Sequence, residues 1–251
     1  MIGISSTSFC SYRVEDVLEE VSKEFELWEI FSEAEHYIQN ISGILAAMAP
    51  SYNLKYSVHA PICDNNIASL NERMREASVL DLLSLVESAL SLEITTITVH
   101  PGIYSLVAPD MADKSVAAAK KSLRSLDRIM AEYGIKVAVE NMPNLGFMLG
   151  RTPQELADLV EGTELGICFD IGHANTVGDI DGFIELLGSR FVNLHIHDNR
   201  GENDEHLVLG EGNIDFPAVL KKLSSYRGNH VIESRDFPSG VESRDILSQL
   251  L

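Results

Sequence analysis

Cysteine is scarce in this chain: Cys10, Cys63 and Cys168 are odd in number and widely spaced, so no disulfide framework is expected. No run approaches the roughly 18 uninterrupted apolar residues of a membrane span. No basic, then apolar, amino-terminal leader is visible. These absences predict a cytoplasmic protein with no membrane partner. Positive charge is also short, with 19 Lys and Arg against 38 Asp and Glu and a formal charge of −19. Nucleic-acid affinity comes largely from cations that neutralise phosphates, so nucleic acid is disfavoured unless the few basic residues share one patch. No linker, low-complexity run or internal repeat divides the chain, which predicts one domain over residues 1–251. No glycine-rich phosphate loop follows the first apolar run, where Ser5, Ser6, Thr7 and Ser8 stand. That disfavours an open, dinucleotide-binding sheet.

What is present is alternation. Apolar or β-branched runs at 2–5, 25–31, 55–59, 95–100, 136–140, 165–170, 191–195 and 231–233 read as strands. Most are near-continuously hydrophobic, as expected of strands buried on both faces. Helical periodicity lies between them. Val14, Val17, Leu18 and Val21 fall on one face of 14–22, and amphipathic patterns cover 71–92 and 113–133. The segment 152–161 opens with Thr152, Pro153 and Glu155, a cap, a first-turn proline and an N3 glutamate; 215–223 opens similarly on Asp215 and Pro217. Eight strand–helix units in about 250 residues predict a parallel sheet closed into a (β/α)8 TIM barrel of the α/β class.

Side chains able to bind metal gather at the strand ends. Of eight histidines, His59, His100, His173, His195 and His206 lie at strand ends or in the loops that follow. Glu140, Asp170 and Glu233 end three more strands, and Asp204 lies two residues before His206. In a barrel all strands point one way, so these ends meet in one mouth. A lone histidine or strand-end carboxylate is more often a hydrogen-bonded core group or a helix cap. Six consecutive strands each delivering such a side chain is a different matter. Imidazole and carboxylate donors without cysteine suit a divalent ion such as Zn2+ or Mn2+. Trp28 reads as packing and Cys168 as barrel wall. Glu29 could line the mouth, and Gly210, Glu211 and Gly212 read as a turn bringing His206 to the site.

The strings VHAP (58–61), VHPG (99–102), VEN (139–141), FDIGHA (169–174), NLHIHDN (193–199), DEHLVLGEGNID (204–215) and IES (232–234) together resemble the xylose-isomerase-like TIM-barrel superfamily. That superfamily includes sugar-phosphate isomerases and epimerases and endonuclease IV, of AP endonuclease family 2. The resemblance runs over about residues 54 to 234. It implies up to three metal positions. One would take His59, His100 and Glu140. A second would take Glu140 as a bridge with Asp170, His195 and Glu233. A third would take His173, Asp204 and His206. The one-metal pattern of the epimerases matches the second set, with Glu140 and Glu233 as acid and base on opposite sides of a substrate carbon. His173 could then hold a substrate hydroxyl. Asn141, His197, Arg200 and Arg235 are the candidate substrate contacts.

Two functions fit the resemblance. One is isomerisation or epimerisation of a sugar or sugar phosphate, by proton transfer next to a metal-polarised carbonyl. The other is phosphodiester cleavage at abasic sites in DNA, which the full ligand set favours. The mouth loops contain Arg13, Arg151, Arg200 and Arg235 but no lysine, beside many carboxylates. A duplex-binding rim should be a basic stripe. The cluster Lys114, Lys120, Lys121, Arg124 and Arg128 reads as a solvated outer helix face. The loops read as short, and Ala60, Pro61 and Ile62 supply no aromatic wedge. Small-substrate chemistry is therefore the favoured expectation. An oligomer is compatible with the sequence.

Overall fold

The computed structural model describes residues 1–251, Pro109 by its backbone alone. The strands are β1 Ile2–Ser5, β2 Leu27–Phe31, β3 Lys55–His59, β4 Thr96–Val99, β5 Lys136–Glu140, β6 Gly166–Asp170, β7 Phe191–Ile196 and β8 Asn229–Ile232. The helices are α1 Val14–Glu24, α2 Ile38–Met48, α3 Glu72–Leu90, α4 Ala112–Tyr133, α5 Pro153–Leu159, α6 Ile171–Val177, α7 Ile180–Leu187, α8 Phe216–Lys222 and α9 Phe237–Leu250. Neighbouring strands pair in parallel in chain order, and β1 closes on β8 through Gly3 opposite Val231. The expected TIM barrel is what forms. No described helix is long and apolar enough to cross a membrane.

Local chemistry explains the helix starts. Thr152 caps α5 by accepting from the Glu155 amide, Asp215 caps α8 through Ala218, and Asp236 caps α9 through Ser239. Each satisfies an amide with no partner inside its helix. Four further helices, α2, α6, α7 and α9, lie outside the helical segments expected from the sequence. Strand β2 begins at Leu27 rather than at Phe25, because Phe25 ends α1 and packs edge-on to Phe237.

The strands are not uniformly apolar. Ile4, Trp28, Ile30, Val58, Ile97, Val99, Val137, Val139, Ile167, Phe169, Leu194, Ile196 and Ile232 belong to the core between sheet and helices. The residues between them face the barrel axis, as a period of two requires. Many of these are polar: Glu29, Ser57, His59, Thr98, Glu140, Asp170, Asn193 and His195, all buried. The outer face therefore supplies the hydrophobic stabilisation, and the inner face is free for chemistry. The loops at the carboxyl ends are longer than expected. Residues 60–71 join β3 to α3, 141–152 join β5 to α5, and 197–215 join β7 to α8.

One fold element carries a pH dependence. His36 is fully buried against Trp28, with ring centroids 5.4 Å apart, and its Nδ1 meets the Ser6 hydroxyl at 2.9 Å. Burial pushes its pKa from 6.5 down to about 4. The unfolded chain takes up this proton first as pH falls, so the contribution is complete above 6.5 and lost toward 4. It is worth up to about 3 kcal/mol at 1.4 kcal/mol per unit. His36→Gln should therefore lose less melting temperature between pH 6.5 and pH 4 than the parent. An unchanged difference in thermal melts would contradict this.

Candidate metal centre

Glu140, at the end of β5, is the hub. Its Oε2 lies 3.0 Å from His59 Nε2 and 3.1 Å from His100 Nε2. Its Oε1 lies 3.0 Å from His195 Nδ1. The same His195 nitrogen is 3.5 Å from Glu233 Oε1 and 3.8 Å from Asp170 Oδ2. Asp170 has two tasks. One oxygen caps α6 by accepting from the His173 amide at 2.6 Å. The other is buried without a hydrogen-bond partner and faces the cluster.

Proton accounting shows what this arrangement needs. His59 Nδ1 sits 2.7 Å from the Ala60 carbonyl, which can only accept, so that nitrogen carries the hydrogen. Its Nε2 then faces the Glu140 carboxylate, a second acceptor. His195 has Glu140 at Nδ1 and Glu29 at Nε2, 2.6 Å away. His173 has the Asn141 carbonyl at Nδ1 (2.8 Å) and Asp204 at Nε2 (3.2 Å). Three imidazoles thus have an acceptor on each side. A neutral ring satisfies one side only. Either a second proton or a metal ion must stand at the other. Two donors on one ion at ~2.1 Å are roughly 3.0–3.4 Å apart, which matches most of the separations around Glu140. The donor set fits a divalent cation.

In the absence of an ion the protons carry this role. Burial opposes charge on His173, but Asp170, Asp204 and Glu140 outweigh it and raise its pKa well above the usual value. His195 is likewise raised well above it, as Glu140, Glu233 and Glu29 overcome burial. Burial would raise Glu140, yet His195 and His100 hold it well below the ordinary carboxylate range. Burial dominates at His100 and lowers its pKa.

A second cluster lies beside the first. Asp204 Oδ2 is 3.2 Å from His173 Nε2 and 3.2 Å from His206 Nε2. His206 Nδ1 is 3.7 Å from Glu233 Oε2, which joins the two clusters. All nine expected ligand residues therefore converge.

Other expected site residues stand differently. The Asn141 side chain is taken up by the Asp170 backbone, donating to its carbonyl at 2.8 Å and accepting from its amide at 2.7 Å. It pins β5 to β6 rather than reaching for substrate. His173 has no free N–H for a substrate hydroxyl. His197 is fully buried within the second cluster, not a surface substrate contact. Arg200 and Arg235 lie on the exposed rim and pair with Glu205 and Glu211 at 2.6 and 3.3 Å. Arg13 and Arg151 pair with Glu15 and Glu155. The sequence reading also misplaced Glu29. It lies below the mouth, fully buried, held by Ser57 and Asn193, and fixes the His195 ring through Nε2. Its signal was a lone carboxylate in an apolar strand. By contrast, a cavity of about 610 Å³ lined by Lys136, Lys222, Tyr226 and Arg227 has no histidine or carboxylate in its wall.

The profile of the xylose isomerase-like TIM barrel family matches residues 24–249, and the chain belongs to that family. An uncharacterized protein of Methanocaldococcus jannaschii is 38% identical, over 99% of this chain and 88% of its own. A solved structure described as a D-tagatose 3-epimerase-like protein superposes with a TM-score of 0.92 at 36% identity, covering 99% of this chain and 96% of that one. A Bacillus subtilis protein named "Probable endonuclease 4" is 30% identical over 205 residues, 74% of this chain and 65% of its own.

Glu29→Gln should weaken binding of Zn2+ or Mn2+ by about 10–100-fold, since the carboxylate orients His195 and strengthens it as a donor. Competition with a chromogenic chelator measures this. Unchanged affinity would mean that Glu29 does not support the centre.

Proposed function

We propose that this chain is a divalent-metal-dependent isomerase or epimerase acting on a sugar or sugar phosphate. Zn2+ or Mn2+, one to three ions per chain, is the cofactor the donor set suits. The ion held by Glu140, Asp170, His195 and Glu233 would supply a Lewis acid for a substrate carbonyl. The chain's own part is proton transfer. Glu140 and Glu233 approach the same His195 nitrogen at 3.0 and 3.5 Å. One, as carboxylate, takes the proton from the carbon beside the carbonyl as the C–H pair becomes a C=C bond and the carbonyl π pair shifts to its oxygen. The other, protonated at the outset, returns its proton to that carbon from the opposite face as the carbonyl re-forms, which inverts the configuration. Asp170, His195 and Glu29 hold the pair in place, and their burial keeps bulk water from exchanging the proton.

One observation carries this reading over DNA cleavage. Each of the four rim arginines already has a carboxylate partner in the chain. A duplex would meet paired charges rather than free guanidinium groups. Arg200 or Arg235 could grip a sugar phosphate only by releasing Glu205 or Glu211. The similarity to a D-tagatose 3-epimerase-like protein points the same way. The alternative keeps some support. All nine ligands of the endonuclease IV pattern converge, and the mouth loops are long enough to contact more than a sugar.

A panel of ketoses and sugar phosphates, assayed beside an abasic-site duplex, tests the choice. Metal-dependent sugar interconversion is expected, with kcat falling by about 10²–10⁴-fold in Glu233→Gln. Metal-dependent nicking that disappears in Glu233→Gln, without sugar turnover, would assign the second reading instead.

A further inference from the structure

His197 follows the end of β7, two residues beyond His195, so its side chain also turns toward the barrel axis, one layer nearer the mouth. It is fully buried, and neither ring nitrogen has a hydrogen-bond partner among the described residues. Its Nε2 lies 3.3 Å from Asp204 Oδ1, itself buried and unpartnered, and 3.2 Å from Asp170 Oδ1. Leaving two such groups unmatched would cost several kcal/mol in total. One donor atom from each of His173, His197, Asp204 and His206 falls within 4.8 Å of all the others.

The position of this ring is built by its surroundings. It packs against His206, with centroids 4.0 Å apart and planes 8° apart, a stack that must open for both rings to aim a nitrogen at one ion, and it meets His173 edge-on at 5.7 Å. A Cβ on Gly172 would sit 2.0 Å from the ring, so only glycine in the first turn of α6 leaves the space. His206 is in the left-handed region at φ +48°, an uncommon conformation for a side chain of this kind. The loop is shaped to hold it there. Asp198 accepts from the amides of Gly210, Gly212 and Ile214.

We propose that His197 is a fourth ligand to the His173–Asp204–His206 group and closes it into a three-histidine, one-carboxylate site for a zinc-like divalent cation. Four protein donors match a closed tetrahedral site rather than one with an open position for water or substrate. This ion does not meet substrate. It fastens the loop 197–215, with Arg200, Glu205 and Glu211 of the rim, to the barrel wall. The site rests on the cluster's geometry alone and holds for either substrate class.

The test uses the full chain, stripped with chelator and reloaded with Zn2+ or with Co2+, in parent, Asp204→Asn, His197→Ala and His197→Asn forms, with folding followed by circular dichroism. Three results are expected. Asp204→Asn binds one ion fewer per chain by elemental analysis. Both His197 variants hold that ion at least about tenfold more weakly, and their Co2+ forms lose intensity in the visible tetrahedral bands as water enters. Protease cleavage within 197–215 accelerates in the same variants and in the stripped parent. His197 variants that match the parent in ion count, affinity and Co2+ spectrum would overturn the assignment, as would an unchanged ion count in Asp204→Asn. Should alanine unfold the chain, the asparagine variant decides by the same readings. Loss of sugar turnover with these metal readings intact would count against the proposed reaction and not against this site.

Discussion

The organisation of this protein depends on a deficit of hydrogens. Buried carboxylates of Glu29, Glu140 and Asp170, with the partly exposed Asp204, surround buried imidazoles whose nitrogens meet acceptors on both sides. Charged acceptors cannot be gathered in a low-dielectric interior without positive charge between them. Protons on the histidines can meet the need. A divalent ion would meet it equally, and would bring Lewis acidity that a proton does not. The raised pKa values of His173 and His195 and the depressed value of Glu140 reflect this single constraint.

The fold serves the constraint by dividing each strand between two duties. Outward residues such as Ile30, Val139 and Leu194 join the apolar core under the helices. Inward residues form a polar stack, with Glu29, Ser57, Thr98 and Asn193 below and the ligand cluster above. Asn193 donates to both Glu29 and Thr98 and so ties opposite sides of the barrel. Asn141 locks β5 to β6 just where Glu140 and Asp170 leave their strands. These supports make the positions of the strand-end donors properties of the barrel rather than of its loops.

Much of this was legible in the sequence. His59, Glu140, Asp170 and His195 could be placed because a parallel barrel brings all strand ends to one mouth, whatever their separation in the chain. Glu29 was misplaced because its strand, LWEIF, is otherwise apolar and gives no sign that the carboxylate serves a histidine five strands later in sequence order. His197 was read as a supporting or substrate-contacting residue, since a residue past a strand end can turn either way. Its burial depends on the small residue at 172. The rim arginines were visible, but their pairing was not: Arg13, Arg151 and Arg200 meet carboxylates two to five residues away, which sequence spacing alone does not pair, and Arg235 meets Glu211 from a separate loop. Loop lengths were underestimated where 197–215 lacks periodicity.

The same donors could serve proton transfer or phosphate-ester cleavage, so the substrate is decided at the rim and the chemistry below it. The claim on which both depend is that a divalent ion stands between Glu140 and His195. Anomalous diffraction at the metal edge, from crystals grown with Zn2+ or Mn2+, tests it directly. The expected result is a peak within about 2.0–2.2 Å of His195 Nδ1 and of oxygens from Glu140, Asp170 and Glu233. A loaded crystal with no peak there, and with the imidazole–carboxylate contacts intact, would show that protons alone hold the cluster together.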